Sequence, residues 1–177
     1  MKTLVNLSLA LIGLYASVGT ASAVDESVAR VTTSRALRVA CVRDADEDAP
    51  WYIMQQAFAT SMSACLAGKD MTAMPVRILP ARASNAADDL LNGDCDAVLV
   101  MGEYLPSALR GGKFTSTRAV SQVGTPVRVF HLVLLVTDPA MQSTLSAAFE
   151  KATSSASFQD TIGRSSAVRA VASNSQR

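Results

Sequence analysis

From residue 36 onward the chain alternates between short runs that are apolar at nearly every position and longer stretches in which apolar residues recur every three or four. "ALRVACV" (36–42) is the first short run. It sets Leu37, Val39 and Cys41 on one face and Ala40 and Val42 on the other, which predicts a strand buried on both sides at the centre of a parallel sheet. Over 51–67, Trp51, Met54, Phe58, Met62, Cys65 and Leu66 recur at helical spacing, and Gly68 follows as a stop. "PVRILPA" reads as a second strand. "SNAADDLLNG" reads as a short helix, with Asn85 and Asp88 at capping-box spacing and Gly93 beyond its end. "CDAVLVMG" is a third strand, again apolar almost throughout. Strands and helices this closely linked predict parallel pairing through right-handed crossovers, in the order 2-1-3.

The second half changes rhythm. "EYLPSALRGGK" reads as a loop with one helical turn, and "FTSTRAV" alternates like a half-exposed strand. "SQVGTP" is a turn, and "VRVFHLVLLV" is a long apolar strand that should close an antiparallel hairpin with its predecessor. Thr137 or Asp138 then caps a helix with Pro139 in its first turn and Met141, Leu145, Ala148 and Phe149 on its buried side. "SFQDTIG" adds one more helical turn. The predicted architecture is an α/β three-layer sandwich around a mixed sheet, with a parallel 2-1-3 core and an antiparallel hairpin.

The ends read differently. Lys2, the apolar stretch from Leu4 to Tyr15 and the Ala21-Ser22-Ala23 site form the three parts of a secretory signal. The apolar stretch falls short of the roughly 20 residues that a bilayer-spanning helix requires. Cleavage after Ala23 and a periplasmic location are therefore expected. Residues 24–35 read as a flexible lead-in, 36–164 as one domain, and 165–177 as a disordered tail. Losing Lys2 balances acids and bases, so no electrostatic footprint for nucleic acid or an anionic membrane is expected, nor any membrane insertion.

Export bears on the cysteines. Cys41, Cys65 and Cys95 contain no C-x-x-C, and the chain's single histidine, His131, lies in a strand-like run, so no zinc site is expected. In an oxidising compartment three cysteines suggest one disulfide and one thiol. The C-terminal end of the 51–67 helix should return near the start of the third strand, which pairs Cys65 with Cys95 and leaves Cys41 buried. His131 reads as a core or edge-of-core residue.

The order of parts resembles one lobe of the type 2 periplasmic solute-binding fold, the family-3 binding proteins of ABC importers. The segments that carry the resemblance are "LRVACV", "LLNGDCDAVLVMG" and "VFHLVLLVTDPAMQSTLSAAFEKA", the last resembling the family's returning strand and terminal helix. Cysteines in the first strand and in "GDCDAV" are similar to those of the solute-binding-like accessory proteins of quinoprotein methanol dehydrogenases. Here the first of them is displaced by one residue. The family's two lobes close on a solute, but "SQVGTP" leaves no room for a second lobe. The resemblance thus implies half a cleft, and an accessory protein that works through a protein partner or a homodimer. The other implied role is the solute-binding component of an importer for an amino or organic acid.

Candidate contacts follow from the general position of ligand crevices beyond the carboxyl ends of parallel strands. After the first strand, "RDADEDAPW" offers Asp44, Asp46 and Glu47 as a polar lip and Trp51 as an aromatic wall. The same acids also suit a helix cap, with Asp48 capping and Pro50 in the first turn. As a calcium loop the segment fails, because Ala49 stands where glycine is needed and Gln55 where a bidentate glutamate is needed. After the third strand, Tyr104 and Glu103 are candidates. The resemblance adds Ser107 and Arg110 as counterparts of a carboxylate clamp, a task for which arginine is suited. No nucleophile–base pair and no metal cluster is legible, so neither enzymatic activity nor a cofactor is expected.

Overall fold

The computed structural model describes Val31 and residues 36–43, 51–67, 75–123, 127–136 and 139–164. The expected signal segment 1–23, the lead-in apart from Val31, and the tail 165–177 lie outside the described residues. Val31, inside the expected flexible lead-in, is buried against the core, so at that point the chain packs where a loose linker was expected.

The predicted elements form. Strand β1 (Leu37–Arg43) is followed by helix α1 (Trp51–Ala67), β2 (Val76–Pro80), α2 (Ala86–Leu91) and β3 (Ala97–Met101). A 3-10 turn (Ser107–Leu109) leads to β4 (Phe114–Val120) and β5 (Val129–Leu135), and the chain then enters α3 (Pro139–Thr153) and a helix α4 at 156–164. Helix α4 has two turns where the sequence suggested one, because Phe158 and Ile162 both reach the core.

The sheet order is β2-β1-β3-β5-β4. β1 pairs parallel with β2 and β3, while β5 pairs antiparallel with both β3 and β4. The apolar pattern explains who sits where. β1, β3 and β5 are apolar on both faces and lie inside, while β4 alternates and takes an edge.

Each face of the sheet carries its own core. On one, Leu37, Val39 and Cys41 join Leu99, Met101, Phe130 and Leu132 beneath α1, α3 and α4. On the other, Ala40, Val42, Val98, Val100 and Val133 meet Ala86 and Leu90 of α2 and Leu109 of the 3-10 turn. α1 and α2 thus cover opposite faces, so the two crossovers share one hand, as the 2-1-3 order requires. The helical face is locked by aromatic edges: Phe58 meets Phe149 and Phe158 at centroid distances of 6.1 and 6.4 Å, and Phe158 meets Phe130 at 5.5 Å.

α2 shows what the local sequence does and does not specify. Asn85 occupies the N-cap position, but its side chain makes no capping bond; it accepts instead from the Ser84 hydroxyl at 2.8 Å. The capping box does not form. The other end is a Schellman close, in which the amide of Gly93 donates to Leu90 O at 3.3 Å and that of Asp94 to Asp89 O at 2.8 Å. Gly93 takes the positive φ of 74° that this close needs.

Candidate functional site

The strand directions place the ends of β1, β2, β3 and β4 and the start of β5 along one carboxyl edge. Helix α1 begins there, because it follows β1. At this edge the Gly102 amide donates to Val129 O at 2.9 Å, closing β3 onto β5. Ser121 and Arg128 close the far side: the Ser121 amide donates to Arg128 O at 2.8 Å, and the Arg128 amide to Ser121 Oγ at 2.7 Å.

Between these closures lies a cavity of about 390 Å³. Met54 of α1, Met101 and Phe130 give it an apolar floor, and Val120, Val127 and Val129 line its side. Its polar groups are Arg118, Arg128 and Glu103, with Arg128 buried and Arg118 exposed. Two guanidinium groups and one carboxylate over an apolar floor can hold a small polar or anionic group.

Apolar surface gathers around the same edge. Among the described residues eight large apolar side chains are exposed, and six of them, Tyr52, Ile53, Tyr104, Val120, Val123 and Val127, lie on segments that meet here. Leu91 and Val136 are the two elsewhere.

The sequence-derived candidates divide. Asp44 and Asp46 lie outside the described residues, as do Glu47 and the proposed cap Asp48. Trp51 is the first residue of α1, at the carboxyl edge. Tyr104 stands 73% exposed on the rim. Arg110 does not line the cavity: it is exposed, and its Nε donates to Leu105 O at 3.0 Å, so it fastens its own loop. Ser107 opens the 3-10 turn. Arg118 and Arg128 were not anticipated as site residues. Arg128 carries a readable signal, a charge opening an otherwise apolar strand. Arg118 looks like any outward position of an alternating edge strand.

His131 faces the side of the sheet that carries α2. It is half-buried, pairs in register with Arg118 on β4 and Val100 on β3, and neither ring nitrogen has a hydrogen-bond partner among the described residues. Burial lowers its pKa from the usual 6.5, and the charges of Arg118 and Arg110 lower it further.

The cysteines do not pair. All three are free, Cys65 packs on the α1 side of the sheet and Cys95 in the core of the opposite face. The expected Cys65–Cys95 bridge is not formed in this arrangement, because the strand layer stands between the two thiols. Burial pushes the Cys41 and Cys95 thiols up to about 12.

Among the described residues no group of three or more His, Cys, Asp or Glu side chains is placed to hold a metal ion, and no helix is long and apolar enough to cross a membrane. In comparisons with protein-family models, curated proteins and solved structures, the chain matches none.

Proposed function

We propose that this chain is an exported, non-enzymatic binding protein of the single-lobe periplasmic type, and that it acts by docking the carboxyl edge of its sheet onto a protein partner. The observation that carries this is the concentration of exposed apolar side chains at that edge. A soluble domain scatters such residues singly, and a cluster rimmed by polar groups marks an interaction face. Tyr104 at 73% and Val127 at 63% exposure are the natural anchors, since buried aromatic contacts carry much of an interface's energy. The resemblance to an importer-type lobe is supported by the parallel β2-β1-β3 core and by β5 leading directly into α3.

A second reading has its own observation. The cavity, with Arg118, Arg128 and Glu103 over an apolar floor, is at the small end of ligand sites, which run from roughly 300 to 1,000 Å³. In this reading the protein is a receptor for a small carboxylate. Melting the protein against amino acids, organic acids and metal ions separates the two. A ligand at a hundred times its dissociation constant adds about 2.7 kcal/mol, which at this size is a rise of several degrees. A flat response across the panel is the outcome expected of a docking protein. A clear rise, abolished by Arg128→Met, establishes the receptor.

A further inference from the structure

Among the described residues, the outer edge of β4 has no neighbour in the sheet. Edge strands are ordinarily protected by proline, bulges, inward charges or a covering segment. The opposite edge, β2, ends in Pro80. β4 has neither proline nor bulge: its register with β5 runs unbroken over all seven residues, from Phe114↔Leu135 to Val120↔Val129.

Which backbone groups it offers follows from the hydrogen bonds at its two ends. The Val136 amide donates to Lys113 O at 3.0 Å, and the Ser121 amide donates to Arg128 O at 2.8 Å. Residues bonding to one neighbour recur at every second position of an antiparallel strand. Thr115, Thr117 and Ala119 therefore also bond to β5, and the N–H and C=O groups of Ser116, Arg118 and Val120 point outward. The side chains of these three are all exposed.

We infer that β4 pairs antiparallel with β4 of a second copy of this chain about a two-fold axis at Thr117, extending the sheet across the dimer. The strand is self-complementary in that register. Thr117 is its middle residue, so all seven residues overlap. Ser116 then faces Arg118 of the copy, and Phe114 faces Val120 of the copy. Every outward-bonding residue meets another outward-bonding residue, so the ladder forms without a slip. Slipping the copy by two residues to set Arg118 against its own counterpart would place like charges directly opposite, which is destabilising. The single charge on the strand thus disfavours that slip, and the opposite slip, which sets Arg118 against Phe114, pairs fewer of the strand's seven residues.

This pairing rests on the backbone of the outer β4 edge and shares Arg118 and Val120 with the site described above. An antiparallel pair points the two carboxyl edges in opposite directions, so the dimer does not close one cavity on the other, although it sets Arg118 and Val120 of each cavity wall against Ser116 and Phe114 of the copy.

The test is sedimentation equilibrium of the purified protein over a concentration series, alongside three variants at the exposed Ser116. The wild type is expected to dimerise. Ser116→Pro removes an outward N–H without touching the ladder to β5, and should be monomeric yet folded by circular dichroism. Ser116→Lys sets a lysine against Arg118 of the copy, and the two-fold repeats that clash, so dimerisation should weaken by about tenfold. Ser116→Glu places opposite charges there and should tighten it. A wild type that stays monomeric throughout overturns the inference. So does a Ser116→Pro protein that still dimerises, or a lysine and a glutamate variant that leave the dissociation constant unchanged or move it in the same direction.

Discussion

Arg38 at the start of β1 grips Asp96, just ahead of β3, with a two-pronged ion pair: Nη2 lies 2.8 Å from Oδ1 and Nε donates to Oδ2 at 3.2 Å. The backbone repeats the link, since the Arg38 amide donates to Asp96 Oδ2 at 2.9 Å and the Asp96 amide donates to Arg38 O at 2.9 Å. The same guanidinium reaches Gly93 O and Asp94 O, tying the Schellman close of α2 to the sheet. This clamp sits at the amino edge, opposite the candidate site. Its task is to hold the central strand pair in register.

Removing the arginine should therefore cost more than a surface charge would. Asp96 has a fully buried side chain while that of Arg38 is 26% exposed. Breaking a fully buried pair costs roughly 3–5 kcal/mol, and the exposure of Arg38 discounts that. Arg38→Met is expected to lose about 2–3 kcal/mol in urea unfolding. In the double variant Arg38→Met/Asp96→Asn the loss should be smaller than the sum of the two single losses, because the buried charge has gone. Additive losses would show that the pair is not coupled.

His131 should make stability depend on pH. Its folded pKa lies below the unfolded 6.5, because burial, then Arg118, then Arg110 disfavour the imidazolium. The unfolded chain takes up that proton first, so the contribution is present above pH 6.5 and is lost as pH falls through the lower, folded value. Melting temperatures from pH 7.5 down to about 5 should fall in the wild type and fall less steeply in His131→Leu. Arg118→Ser should also flatten the curve, in part, because it removes the second cause. Parallel slopes in all three proteins would contradict the assignment.

The aromatic cluster predicts that α4 is integral to the domain. Phe158 contacts both Phe58 of α1 and Phe130 of β5. Phe158→Ala should cost about 3–5 kcal/mol in denaturant unfolding. A loss below about 1 kcal/mol would mean that α4 docks only loosely.

Two of the cysteines should be hard to label. Cys41 and Cys95 are buried with thiols pushed up to about 12, whereas Cys65 is half-exposed. Brief alkylation of the native protein at pH 8 should modify Cys65 alone, and alkylation in denaturant should modify all three. A non-reduced protein whose mass is short by two hydrogens would show a bridge that this arrangement does not allow.

Much of this fold could be read from periodicity. α1 spans 51–67 as its apolar spacing implies, and β1 and β3 lie inside because both of their faces are apolar. The helix–strand packing that separates Cys65 from Cys95 was not legible. Residue spacing shows which edge a residue approaches, and the side of the sheet depends on the crossover. Arg118 escaped notice for a similar reason: an edge-strand arginine looks solvated until the strand beside it and the loop above it define a cavity. The general rule for parallel sheets points to the segments after β1 and β3, and Trp51 and Tyr104 follow those strands at the carboxyl edge.

The central claim is that the carboxyl edge docks a partner, and capture from the native periplasmic extract tests it most directly. The immobilised protein would be compared with a Tyr104→Ser/Val127→Ser variant whose exposed substitutions should leave the fold and its melting temperature unchanged. The account predicts that the wild type retains a protein in near-stoichiometric amount and that the variant loses it. If both retain the same set of proteins in the same amounts, the apolar rim is not the working surface and the account is wrong.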